Sequence, residues 1–280
     1  MNKPQLISLT TNGKFCLTII FCFAVSLITQ DTFAEEGSYN DPSDVTRLVT
    51  SASPMLEYHR YENDDLPDDG MWEVKIEGQY SKESILLLGD IGYGYRTGNN
   101  ESGMTDSKIR LFHVPYQNDT PSAHTSALGW SIDSSIPFGD VEKGLGTGNW
   151  VFAPGIIWTN SFEAVDVSPN LVYQFTWANN ELKEDIPDGA PNESRALRLE
   201  VNFAFDMPNR YWLLVTPAYT WDLKATDDGG YIKAFTGYNI NTSTSLGIDA
   251  QYNVDVRDGL LQDVIRGEKW RLRIHWENYF

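Results

Sequence analysis

The sequence predicts an all-β chain closed into a transmembrane, up-and-down antiparallel β-barrel of about twelve strands. Three observations lead there. From Pro54 onward, run after run alternates apolar and polar residues with period two, the signature of strands with one greasy face. The connections between runs alternate between long acidic loops and mostly tight turns. Beyond residue 34 no apolar stretch is long enough for a spanning helix, so any membrane span must be made of strands.

The amino terminus bears on the compartment. Lys3 and Lys14 precede the apolar run Cys16 to Ile28 (CLTIIFCFAVSLI), which is too short and too early for a spanning helix. Thr32 and Ala34 are small enough for a signal-peptidase site, so residues 1–34 are expected to be a signal peptide cleaved after Ala34. Phe15 and Phe21 stand before Cys16 and Cys22, where a lipobox wants a small residue, and this argues against a lipoprotein. Cleavage removes both cysteines, and an exported chain without a disulfide finds another route to stability in barrel closure. It also removes Lys3, Lys14 and Asp31, taking 21 cations and 39 carboxylates to 19 and 38, a net charge of −19. That charge excludes nucleic acid as a natural partner.

Residues 35–53 (EEGSYNDPSDVTRLVTSAS) are polar and turn-rich and read as a lead-in able to tuck into a lumen, with the barrel over 54–280. Strands are expected at 55–63, 71–81, 84–97, 107–117, 126–138, 149–162, 167–179, 194–206, 210–224, 230–240, 243–256 and 269–280. Such lengths cross a bilayer at a tilt. The second strand sets Trp72, Val74, Ile76, Gly78 and Tyr80 against Glu73, Lys75, Glu77 and Gln79. The eighth sets Leu197, Leu199, Val201, Phe203 and Phe205 against Arg198, Glu200 and Asn202. The ninth sets Tyr211, Leu213, Val215, Tyr219 and Trp221 against Thr216, Thr220, Asp222 and Lys224. The eleventh sets Leu246, Ile248, Ala250, Tyr252 and Val254 against Gly247, Asp249, Gln251, Asn253 and Asp255. Aromatics near strand ends, among them Trp72, Tyr80, Trp150, Trp158, Trp177, Tyr211, Trp221, Trp270 and Trp276, suit a membrane interface. The fourth strand is ambiguous, since Lys108 and Arg110 share its period with Phe112, Val114 and Tyr116. Pro154 and Pro217, inside strands, predict bulges where a ladder donor is missing.

Counted from the first strand, odd connections include NDDLPDDG, RTGNNESGMTD, FGDVEKGLGTG, ANNELKEDIPDGAPNES, KATDDGG and VRDGLLQDVIRGE. Even ones include SKE, SFEAVD, MPNR and NTS, with NDTPSAHTS longer than expected. A Greek-key sandwich does not demand that parity, whereas an up-and-down barrel with both termini on one side does.

The last strand, KWRLRIHWENYF, puts Trp270, Leu272, Ile274, Trp276, Asn278 and Phe280 on one face and Lys269, Arg271, Arg273, His275, Glu277 and Tyr279 on the other. It resembles the carboxy-terminal signature of bacterial outer-membrane β-barrels, where a final Phe is usual, although Asn278 replaces the customary hydrophobic residue. The resemblance implies the outer membrane of a Gram-negative bacterium, contact with lipid and lipopolysaccharide, and recognition by the barrel-assembly machinery through Phe280. The central stretch ALGWSIDSSIPFGDVEKGLGTGNWVFAPG (127–155) is similar to a family of outer-membrane proteins described as transporters or as the "MetA-pathway of phenol degradation" family. Pro137, Gly139, Asp140, Gly146, Gly148, Pro154 and Gly155 match its motif, and Phe138 departs from the commoner Thr. RYWLLVTPAYTWD (210–222) is similar in position and character. This resemblance implies a barrel that takes up small hydrophobic or aromatic compounds, and no catalytic residues.

The candidate lumen set is Glu73, Lys75, Glu77, Asp90, Arg198, Glu200, Asp222, Lys224, Asp249, Asp255, Arg271, Arg273 and His275, with Lys269 and Glu277 on the same face of the last strand. In a closed barrel Arg271 and Arg273 meet Asp249 and Asp255 on one side and Glu57 on the other. One reading is a charged eyelet that orients a polar or anionic solute during passive passage. The other is a salt-bridge network bracing a filled interior, in a structural or adhesive barrel. Barrels of about eight strands are filled and those of about sixteen are open, so twelve leaves both readings standing. A third class, a lipid hydrolase, needs Ser and His on the outer wall. Only His113 suits it, with Ser107 six residues away and no Gly-x-Ser-x-Gly elbow. GLGTG is followed by a strand, so it offers no helix terminus to a phosphate and no cofactor is expected. Asp64, Asp65, Asp68, Asp69, Asp227 and Asp228 read as solvated loop acids whose spacing matches no EF-hand, and no metal is assigned to them.

Overall fold

The computed structural model describes residues 45, 48–61, 69–117, 126–162, 165–178, 193–205, 207, 210–223, 228–254 and 268–280. The expected signal peptide, Lys224 and Asp255 lie outside them. The strands are β1 (Ser51–Tyr61), β2 (Gly70–Lys82), β3 (Ile85–Arg96), β4 (Glu101–Met104), β5 (Ser107–Gln117), β6 (Ser126–Ile136) and β7 (Asn149–Ser161). They continue with β8 (Val165–Ala178), β9 (Glu193–Phe205), β10 (Tyr211–Asp222), β11 (Gly229–Asn241), β12 (Thr244–Val254) and β13 (Glu268–Tyr279). Every pairing is antiparallel, each long strand joins its chain neighbours, and β1 pairs with β13 to close the ring. No sheet edge is left along the ring, which is what a bilayer requires of strands.

The ring has the twelve strands expected. The additional β4 is the outward continuation of β5 along β3. Tyr93 faces Met104 while Gly89 faces Ile109, so one extra residue is taken up around Thr105 and Asp106. β1 begins at Ser51, inside the expected lead-in, and Val45 and Leu48 pack against Leu86, Phe112, Val114, Ala127 and Ile157 on the inner wall. At one end of the barrel the connections 83–84, 162–164, 206–210 and 242–243 are short, with 118–125 the longer exception. The connections 62–69, 97–106, 137–148, 179–192, 223–228 and 255–267, mostly longer, join the strands at the other end.

Period two becomes two environments. Ile76, Ile91, Ile156, Ile232, Ile248 and Ile274 stand exposed on the outside, while their strand neighbours are buried or half-buried. Among the described outward strand positions, ionised side chains occur only within three residues of a strand end, at Arg60, Lys82, Glu193, Arg195 and Lys269. Contact with acyl chains would impose this segregation, because an Arg at midplane costs about 2–4 kcal/mol. Ile248→Arg, near the middle of β12, is accordingly expected to lower unfolding free energy in lipid by about 2–4 kcal/mol. Denaturant titration of the variant beside wild type checks this, and a loss below about 1 kcal/mol would remove lipid from that face.

Three sequence expectations are corrected here. The register shifts between His113 and Tyr116, so Lys108, Arg110, Phe112 and Val114 keep one face and Tyr116 turns outward opposite Leu128. A second shift, between Arg60 and Tyr61, turns Glu268 inward and sets the Lys269 ammonium 5.5 Å from the outward Tyr252 ring, so Lys269 does not join the lumen face. Pro154 and Pro217 cause no bulge, because register is constant on both sides of each. What each lacks is a partner row on one flank, toward β8 for Pro154 and toward β9 for Pro217. An antiparallel residue donates to one neighbour only, so a proline there loses one bond without inserting a residue.

Candidate channel interior

Closure of β1 on β13 sets Asp249, Arg273, Glu57 and Glu73 in one cross-strand row over β12, β13, β1 and β2. Arg273 Nε lies 2.8 Å from Glu57 Oε1, and its Nη1 lies 3.7 Å from Asp249 Oδ2. One turn of the pleat further on, Arg271 donates to Gln251 Oε1 at 2.6 Å and lies 4.0 Å from Glu268. Arg273 therefore takes both expected neighbours, whereas Arg271 takes a glutamine and a glutamate read as loop. His59 is surrounded by carboxylates, with Nε2 at 3.2 Å from Glu73 and 3.4 Å from Glu57, and Nδ1 at 3.3 Å from Glu268. Lys75 holds the other oxygen of Glu73 at 3.2 Å, and the Thr105 hydroxyl donates to that same oxygen.

Across the lumen a second set forms. Arg110 grips Asp133 with two donors at 2.5 and 3.0 Å. Arg198 Nε lies 2.8 Å from Glu200, which also accepts from Tyr231 at 2.7 Å and Asn170 at 3.1 Å. Asp90 accepts the Lys108 backbone N–H at 2.7 Å. Asp222 sits at the long-loop rim, away from both sets, with its N–H donating to Asp228. Asp69, read as a loop acid, instead receives a forked Arg96 guanidinium, and Asp228 accepts the Tyr219 hydroxyl at 2.9 Å.

Between the charges runs an apolar strip. Trp212, Phe235 and His275 pack in sequence with their rings tilted, centroids 4.2 and 4.6 Å apart. Met55, Leu88, Phe112 and Leu214 continue the strip around two cavities of about 270 and 300 Å³, which share Glu77, Arg110, Lys233, Asp249 and Arg273. Glu277 and His275 line the second cavity, toward the short-turn end.

The loop 137–148 folds inward over the long-loop end. Leu145 is fully buried against Tyr61 and Met71. Asp106 tethers the loop, accepting Gly139 N–H at 2.9 Å, Thr147 N–H at 2.7 Å and the Thr147 hydroxyl at 2.8 Å. Arg96 donates to the Gly144 carbonyl at 2.8 Å. The motif glycines make this path possible. A Cβ on Gly139 would lie 2.6 Å from the Gly146 Cα, and Gly148 adopts φ +67°. Pro137 and Asp140 start the loop, where Asp140 accepts from Leu145 N–H at 2.9 Å, and Pro154 and Gly155 lie on β7 beyond it. His113 faces outward, edge-on to Trp130 at 5.4 Å.

Sequence reasoning passed over several of these residues. His59, Glu268, Lys108, Arg110, Asp133 and Lys233 all take part in the inner wall. Parity alone could have supplied Lys233 and Asp133, which alternate with outward apolar residues.

Comparison with solved structures places the fold among bacterial outer-membrane barrels. The chain is similar to the NanC porin, at 7% identity and a TM-score of 0.54, covering 82% of this chain and 99% of that one. It is also similar to an outer-membrane channel from Pseudomonas putida F1, at 12% identity and a TM-score of 0.56, covering 88% of this chain and 100% of that one. At such identities the likeness is one of fold. No protein-family model and no curated protein matches the chain, so the phenol-degradation resemblance rests on the sequence stretches themselves, of which 127–155 is the specific one.

Proposed function

We propose that this protein is an outer-membrane channel for passive passage of a small solute that combines an apolar or aromatic body with a charged group. The carrying observation is the double character of the two contiguous cavities. Met55, Leu88, Phe112 and Leu214, from four different strands, give both cavities an apolar part of their lining. The rest offers the cations Lys108, Arg110, Arg198, Lys233, Arg271 and Arg273 and the carboxylates Glu57, Glu77, Asp90, Asp133, Glu200 and Asp249. Equal numbers of each sign orient a charged end without trapping it, as conduction requires. A purely hydrophobic solute would have to leave twelve ionised groups facing it, which costs more than its apolar contacts return. The hydrophobic or aromatic uptake implied by the phenol-degradation resemblance is thus narrowed to compounds that also carry charge.

Liposome swelling with the purified protein tests this reading. Small aromatic carboxylates and zwitterions are expected to enter faster than neutral sugars of equal size. Equal rates for all would remove the specificity, and no permeation by any of them would remove the channel.

A further inference from the structure

We propose that Glu57, His59 and Glu73 form a binding site for a divalent first-row transition-metal ion such as Zn²⁺, on the inner wall. The three donors, His59 Nε2, Glu57 Oε2 and Glu73 Oε2, lie within 4.8 Å of one another. Two of their separations are 3.2 and 3.4 Å. Ligands about 2.0–2.1 Å from a tetrahedral ion are spaced about 3.3–3.4 Å apart, so the set is near coordination spacing without movement of the backbone.

The surroundings are those of a ligand set, not of three ordinary ion pairs. Glu268 lies 3.3 Å from the far imidazole nitrogen, so in the neutral ring that gives its N–H to Glu268 the Nε2 lone pair would point toward the two carboxylates. Each carboxylate has its second oxygen fixed elsewhere, Glu57 by Arg273 at 2.8 Å and Glu73 by Lys75 at 3.2 Å. Among the described residues Glu57 Oε2 accepts no well-aligned hydrogen bond, with His59 Nε2 standing 3.4 Å away, although the residue is fully buried. A lone pair facing two carboxylate oxygens is repulsive unless a cation stands between them. That cation is either a proton on His59 or a metal ion. One nitrogen and two oxygens favour a transition ion over Ca²⁺ or Mg²⁺, which prefer all-oxygen sites. A cavity of about 40 Å³ lined by His59, Glu73, Lys75 and Thr105 leaves room for a water as fourth ligand. The ion would clamp β1 to β2 beside the closing seam with β13.

The test uses the full-length mature protein in detergent, stripped with EDTA and titrated with Zn²⁺ by calorimetry, followed by X-ray absorption at the zinc edge. A variant carrying His113→Gln, His124→Gln and His275→Gln leaves His59 as the sole imidazole. It is expected to bind one Zn²⁺ with a single imidazole shell, as wild type does. His59→Gln is expected to lose that shell and to bind at least 100-fold more weakly, and Glu268→Gln to bind about 10–100-fold more weakly. No stoichiometric Zn²⁺ on wild type would assign the position to a proton and overturn the proposal. So would an imidazole-free shell in the triple variant, or affinity that survives His59→Gln, which would place the ion on the acidic loops. The triple variant keeps the test decisive should His59→Gln fail to fold.

Discussion

Arg273→Ala is expected to destabilise the barrel by about 3 kcal/mol and to raise its single-channel conductance. The stability loss follows from what the substitution leaves behind. Glu57 is fully buried, and its Oε1 is held by Arg273 at 2.8 Å. Removing one member of a buried pair strands the other charge, which typically costs about 3–5 kcal/mol. The lower end applies because His59 still faces the second oxygen of Glu57 at 3.4 Å. Glu57→Gln in the same chain should recover a good part of the loss, since the stranded charge is then gone. A double-mutant cycle by denaturant unfolding in detergent reads both effects. The conductance gain has a separate cause, because the Arg273 side chain borders both cavities and its truncation widens their junction. Selectivity should shift toward cations as Asp249 and Glu57 lose their partner. A variant as stable as wild type, with the same conductance and ion preference, would mean that Arg273 neither braces the seam nor lines the path.

The inner wall was legible to the extent that parity was unbroken. Glu73, Lys75 and Glu77 on β2, and Asp249 on β12, sit where alternation puts them, because a strand has no other way to place successive side chains. Lys269 and Tyr116 were misplaced by one residue of slippage. Bulges reverse parity: the one at Lys269 is made from ordinary residues with no Gly or Pro to announce it, whereas the one between His113 and Tyr116 holds Pro115, a marker the sequence reading passed over. The prolines that did suggest bulges replaced a single donor and left the register alone. His59 and Glu268 lie at strand ends beside polar connections, where loop and wall have the same composition. Only closure of β1 on β13 brings them together. The inward loop left a fainter trace: Leu145 between closely spaced glycines, in an otherwise polar segment, is a side chain with little reason to face water.

That loop gives the second large effect. Asp106→Ala is expected to release residues 137–148 from the lumen, raising conductance and exposing the chain at Lys143 to trypsin. Asp106 accepts three hydrogen bonds from Gly139 and Thr147, and a bond to a charged acceptor contributes about 1.5–3 kcal/mol. Water replaces part of this once the carboxylate is gone, so closure should weaken by about 2–3 kcal/mol in total. Cleavage that tracks the open population then accelerates roughly 30- to 150-fold. Leu145→Ala attacks the same closure from its apolar side by emptying the contact with Tyr61 and Met71, and it leaves the Asp106 tether intact. It should therefore open the loop less than Asp106→Ala does if the tether dominates, and more if burial does. Tryptic rate and conductance must rise together in each variant. If cleavage at Lys143 quickens while conductance stays at the wild-type value, the loop is a lid beside the path and the constriction belongs to the charged row below it.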